Sequence, residues 1–186
     1  WQEKFEEASS MLLDHIDMLS ETANEFSTFA KLYSEPSTAI DLDLMLKEEV
    51  AMFDKVDGAG IVYMGFEKAL TTGPKPQLAR VFINLLGNAI QAVSHNDEKK
   101  ILVSLRKSVR EGFYDIVFED NGSGVAEENL DKLFTPNFTT KSGGTGLGLA
   151  LVREIANRHH IDIVVESSPE QGTAFRFIFR DPDART

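Results

Sequence analysis

Six of the chain's 13 glycines fall in one window, at positions 122, 124, 143, 144, 146 and 148. Glycine admits left-handed backbone and close approach, so this window commits the fold to two special turns. The first, Glu119-Asp120-Asn121-Gly122-Ser123-Gly124, directly follows the apolar run Ile116-Val117-Phe118. A strand ending in a carboxylate and two glycines puts an acceptor at a sheet edge. There it suits two roles: bonding its own backbone in a tight turn, or accepting from an exocyclic amine while a planar ring lies against the glycines. The second, Gly143-Gly144-Thr145-Gly146-Leu147-Gly148, opens a helical pattern over residues 147–159. Free N–H groups at a helix start sit at the positive end of the dipole and suit phosphate. Thr139, Thr140 and Lys141 just upstream add hydroxyls and a cation. This is not a Walker A loop, because Lys141 precedes the glycines. It lacks the parallel βαβ setting of a dinucleotide fingerprint.

Around this window the pattern alternates between helix and strand. Residues 1–33 contain no Gly or Pro and place Phe5, Leu12, Leu19, Phe26 and Tyr33 seven apart. This predicts one amphipathic helix about 50 Å long. A seven-residue repeat favours a partner helix over packing on its own domain. Two lysines oppose seven acids on this segment. Pro36 ends it, making residues 34–39 a hinge. Residues 40–42 read as a short strand, followed by a helix capped by Asp43. Residues 61–66 read as a strand and 75–93 as a strongly apolar helix after Pro74 and Pro76. Residues 101–109 and 113–119 read as an antiparallel hairpin, and 127–134 as a short helix. Residues 161–167 and 173–180 read as a closing strand pair, and 181–186 as a frayed tail. The expected class is α+β, a mixed sheet covered on one face by helices and preceded by a long amphipathic helix.

The helix over 75–93 carries Asn84-Leu85-Leu86-Gly87-Asn88-Ala89. Asn84 and Asn88 are four apart and share a face. Polar amides in an apolar helix need partners, either neighbouring loops or an oxygen-seeking cation such as Mg²⁺ shared with a phosphate. The net charge of −11 argues against nucleic acid and requires local donors for any anionic ligand. No Cys is present, which excludes disulfides and thiolate metal sites and fits a reducing, cytoplasmic compartment. No apolar run approaches the roughly 20 residues of a membrane span, so this segment is expected to be soluble. The full-length protein could still be membrane-anchored through segments outside this chain.

Taken together, these motifs resemble the ATP-binding domain of sensor histidine kinases, with details leaning toward nitrogen-regulation-type kinases. The wider superfamily, with the Bergerat ATP-binding sandwich, includes gyrase, the ninety-kilodalton heat-shock chaperone and mismatch-repair ATPases. The resemblance covers residues 38–180. Asn84–Ala89 looks like the N box. Asp120–Gly124 and Gly144–Gly148 look like the two glycine boxes. Phe134-Thr135-Pro136-Asn137-Phe138 looks like the F box, and Gly172-Thr173-Ala174-Phe175 like the closing strand motif. The resemblance implies that Asp120 accepts from the adenine amino group beside Gly122 and Gly124, with Thr173 assisting. It implies Mg²⁺ at Asn88 with Asn84 beside it, and phosphates on the backbone of Gly144, Gly146, Leu147 and Gly148. Residues 134–144 would form a lid carrying Thr140 and Lys141 toward a phosphate. Two positions depart from the family pattern: Gln91, where many members carry Lys or Arg, and Asn137, which interrupts a pair of aromatics.

Residues 1–33 resemble the second helix of the dimerisation and phosphoacceptor hairpin. The acceptor-His helix is expected outside this chain. His15 reads as a packing residue, and His159 and His160 sit at a helix end where imidazolium is favourable. No catalytic residue is expected within the chain. The implied function is transfer of the ATP γ-phosphate to a His on the absent helix, in a homodimer formed through residues 1–33, with a response regulator downstream. The alternatives are a clamp or chaperone-type ATPase, in which a Glu that activates water replaces Asn84, and a catalytically silent dimerising module.

Overall fold

The computed structural model describes residues 1, 5, 9, 11–13, 16, 35–57, 60–65, 69–140 and 144–182. Among the described residues from 35 onward, seven strands and four helices follow in order: β1 (Thr38–Asp41), α1 (Leu42–Asp57), β2 (Ile61–Met64), β3 (Leu70–Gly73), α2 (Lys75–Ala92), β4 (Ile101–Lys107), β5 (Phe113–Asp120), α3 (Glu127–Leu130), α4 (Gly148–Arg158), β6 (Asp162–Ser168) and β7 (Gly172–Arg180). Five strands form a mixed sheet in the order β2-β4-β5-β7-β6, parallel between β2 and β4 and antiparallel elsewhere. β1 and β3 pair as a small antiparallel ribbon beside it.

One sheet face carries the core. Val103 and Leu105 of β4 align with Phe118 and Ile116 of β5, and Phe118, Ile116 and Tyr114 of β5 align with Phe175, Phe177 and Phe179 of β7. The helices cover this face with Met45 and Leu46 of α1, Leu78, Phe82 and Leu85 of α2, and Val152 and Ile155 of α4. The Phe82 ring lies 5.6 Å from Phe118 and 6.4 Å from Phe179. Alternate strand residues and helix residues three or four apart thus meet in one layer, as the mixed periodicity predicts. The α+β expectation holds.

Local differences have identifiable causes. β3 is not marked by periodicity, because four residues are stabilised only by pairing with β1, some thirty residues earlier in the chain. The cap of α1 is Asp41, not Asp43. The Asp41 carboxylate accepts the N–H groups of Asp43 at 3.1 Å and Leu44 at 3.4 Å. Asp43 instead accepts from the Tyr63 hydroxyl at 2.8 Å and the Lys47 ammonium at 2.7 Å. Burial alone would raise its pKa, but these two donors outweigh it and hold the carboxyl below its ordinary value. His159 also departs from expectation. Burial, then Arg158 and His160, push its pKa down, so the imidazolium is disfavoured despite the helix end. Its Nε2 meets the buried Gln77 Oε1 at 2.9 Å. Asp181 is not frayed: its N–H donates to Gly112 at 2.9 Å and its carboxylate accepts from Tyr114 at 3.0 Å.

At the N-terminus, residues 5, 9, 11–13 and 16 are helical, and Phe5, Leu12 and Ile16 are more than half exposed. The rest of the expected helix, His15 included, lies outside the described residues. Among the described residues, no helix is long and apolar enough to cross a membrane.

Candidate functional site

The apolar inner face of the sheet ends in a polar row. Across three neighbouring strands Asp120 of β5 pairs with Thr173 of β7, and Thr173 with Ser167 of β6. Asp120 and Thr173 are buried. The Gly122 N–H donates to Asp120 Oδ1 at 2.8 Å, so the tight-turn bond is real. It uses one of the roughly four lone-pair directions of a carboxylate.

Asn121 fastens that turn to the loop between α2 and β4. Its Oδ1 accepts the Lys100 N–H at 2.9 Å, its Nδ2 donates to Glu98 at 2.8 Å, and its carbonyl accepts from Asn96 at 2.6 Å. The glycines here serve the protein's own packing. A Cβ on Gly122 would lie 2.6 Å from the Ala92 backbone, and Gly172, at φ +87°, presses against the end of β5.

The second turn leads into α4. The Asn137 N–H donates to the Gly146 carbonyl at 3.1 Å, closing the chain between them. Asn137 adopts φ +64°, a left-handed conformation that Asn tolerates better than an aromatic, which accounts for this departure from the family pattern. The start of α4 has no side-chain cap and no acid in its first turn. The Leu147 N–H donates to Thr145 Oγ1 at 3.4 Å. A helix start without a side-chain cap turns its first amides outward as an anion-seeking end.

Asn84 of α2 faces this end. Its Nδ2 donates to the Arg80 carbonyl at 2.8 Å, which turns Oδ1 toward Gly148. A Cβ on Gly148 would collide with that oxygen. Asn88 is half-buried one turn further along α2. Thr140 and Gly144 are exposed, and Lys141 lies outside the described residues. Phe134 seats the intervening segment, edge-on to Phe175 at 6.4 Å with the Arg153 guanidinium 4.2 Å from its ring centre. Among the described residues, no group of three His, Cys, Asp or Glu could hold a metal ion. The oxygen donor facing the α4 start is the Asn84 amide, and a lone amide suits Mg²⁺ when phosphates and water complete the shell.

A five-stranded mixed sheet with one clad face thus carries a buried acceptor beside the C-terminal end of α2 and an uncapped helix start beside Asn84. Residues 73–183 match the family model of histidine kinase-, DNA gyrase B- and HSP90-like ATPases. The chain belongs to this family. Among curated proteins it is similar to the signal transduction histidine-protein kinase AtoS of Escherichia coli (strain K12), 31% identical over 180 residues, covering 93% of this chain and 29% of AtoS. It is also similar to the sensor histidine kinase ZraS of the same strain, 30% identical over 172 residues, covering 90% of this chain and 36% of ZraS. The chain thus spans about a third of the length of these relatives. Among solved structures, the catalytic domain of histidine kinase ThkA superposes with a TM-score of 0.67 and 27% identity, covering 78% of this chain and 96% of that one.

This chain is an ATP-binding catalytic domain of the sensor histidine kinase type. Two residues beside its candidate nucleotide site receive no role from the sequence: Asn121, inside the first glycine box, which anchors the turn after Asp120, and Ser167, which bonds Thr173. For Ser167 a signal exists, since alternation through Ile163 and Val165 puts it on the inner face.

Proposed function

We propose that this domain holds ATP between Asp120 and the start of α4 and presents its γ-phosphate to a histidine on a helix outside this chain. The observation that carries the reading is the placement of a buried carboxylate and an uncapped helix start at two ends of the N-box face of α2. Asp120 accepts from the adenine amino group, with Gly122 and Gly124 beside it and Thr173 assisting. The amides of Gly144, Gly146, Leu147 and Gly148 take the phosphates, joined by Thr140 and Lys141. Asn88, with Asn84 as a second oxygen donor, would hold Mg²⁺, which would supply charge neutralisation beside the phosphates. The protein's own contribution is placement and charge neutralisation, which phosphoryl transfer chiefly requires.

Asn84 also supports transfer over hydrolysis. Its amide cannot take a proton from water near neutral pH, so steady-state ATP turnover by the chain alone is slow. The exposed Phe5, Leu12 and Ile16 support a homodimer through residues 1–33. In that assembly a response regulator accepts the phosphoryl group from the histidine.

The test is Asp120→Asn. The substitution keeps an oxygen for the Gly122 amide but replaces the second oxygen with a donor that opposes the adenine amine. We expect ADP affinity to fall about a hundredfold by calorimetry, with the circular dichroism spectrum unchanged. Affinity within about twofold of the parent would remove Asp120 from the site.

A further inference from the structure

Ser167 has a single proton to give. Its hydroxyl donates to the Gly172 carbonyl at 2.8 Å and accepts the Val125 N–H at 2.9 Å. It also meets Thr173 Oγ1 at 2.9 Å. A hydroxyl carries one donor and two acceptor positions. With its proton committed to Gly172, Ser167 can only accept from Thr173, so the Thr173 hydroxyl donates toward β6. What Thr173 offers on its other side is lone pairs alone. Its cross-strand neighbour Asp120 is likewise acceptor-only when ionised. At this end of the sheet Asp120 and Thr173 therefore present two acceptors side by side, and neither Thr173 nor Ser167 turns a hydroxyl donor toward them.

We infer that Ser167 is a positioning residue that fixes the direction of the Thr173 hydroxyl and thereby selects a purine bearing an amino group at C6 over one bearing a carbonyl. This rests on the adenine-site reading above and adds its discrimination step. An amine, or a water held by one, satisfies both acceptors. A C6 carbonyl brings a third acceptor against these two and leaves buried groups unpaired. Without Ser167, the Thr173 hydroxyl can rotate and donate into the cleft, which favours the carbonyl.

ADP and IDP differ in this functional group, so the ratio of their dissociation constants is the readout. Calorimetry on the full chain is expected to show at least a tenfold preference for ADP. Ser167→Ala should compress that ratio by about fivefold to tenfold, the worth of one hydrogen bond. Ser167→Thr keeps the hydroxyl and should preserve it. Thr173→Val should also compress the ratio, and adding Ser167→Ala to it should change the ratio no further. A Ser167→Ala protein that loses affinity for both nucleotides equally is showing only the orphaned Val125 amide, and the inference falls. If Ser167→Ala does not fold, Thr173→Val decides, and an unchanged ratio there overturns the inference as well. A parent that prefers ADP while Ser167→Ala keeps its ratio refutes this step alone. A parent that binds neither nucleotide refutes the site itself.

Discussion

Gly172 is the position where one added methyl group should do most harm. It holds φ at +87°, and a Cβ there would overlap the carbonyl oxygen of Asp120, with the Asp120 carbonyl carbon at 2.7 Å and the Asn121 Cα at 2.9 Å. All three are backbone atoms that cannot swing aside. Left-handed backbone costs a non-glycine residue about 1–2 kcal/mol. Forcing extra volume into a packed site adds about 1–3 kcal/mol. Gly172→Ala should therefore lose about 2–5 kcal/mol, a large share of the ~5–15 kcal/mol typical of a folded domain. At about 2–4 °C per kcal/mol for a chain of this size, the melting temperature falls by about 5–20 °C. The strain lands on Asp120, so nucleotide affinity drops as well, even below the melting transition. Differential scanning calorimetry gives the first number and titration with ADP the second. Gly87→Ala is the matched control. A Cβ there meets no atom within 4 Å, and alanine gains about 0.5–1 kcal/mol over glycine inside a helix. The two substitutions should move the melting temperature in opposite directions. A Gly172→Ala protein as stable as the parent would refute the packing assigned to the end of β5.

Three further outcomes follow from particular contacts. Because His159 is held below its ordinary pKa of 6.5, the unfolded chain binds the proton more readily, so stability should fall as pH drops below that value. His159→Gln should flatten the melting temperature between pH 7.5 and 5.5 relative to the parent. Asn121→Ala orphans the Lys100 N–H and the Glu98 carbonyl, which should cost about 1–2 kcal/mol in chemical denaturation and weaken ADP binding several-fold. Leu12→Asp, on the exposed heptad stripe, should weaken self-association by light scattering while leaving the ADP dissociation constant unchanged.

Long amphipathic patterns were legible in the chain because their stabilisation is local in sequence. α2, α4, the β4–β5 hairpin and the β6–β7 pair stand within a residue or two of the periodicity that predicts them. β3 is not legible, since Leu70–Gly73 is a strand only because Thr38–Asp41 lies beside it. The cap of α1 moved by two residues because both Asp41 and Asp43 satisfy the composition rule, and only geometry gives Asp43 to Tyr63 and Lys47. At the candidate site, the glycines and Asp120 stand out by type and spacing. Asn121 and Ser167 do not, because an Asn or Ser acquires its role from whichever backbone groups come within reach after folding. The spacing of Gly122 is legible, but its cause is not: the neighbour it must avoid is Ala92, thirty residues earlier.

The row running from Asp120 through Thr173 to Ser167 makes the hydrogen-bond ladder of the sheet a ruler for ligand selection. Slipping β7 by one position would set Ala174, or Gly172, opposite Asp120 and turn the Thr173 side chain to the other face. Under the proposed selection, a wrongly paired molecule would lose its purine preference, and nucleotide binding would double as a proofreading signal for correct strand alignment.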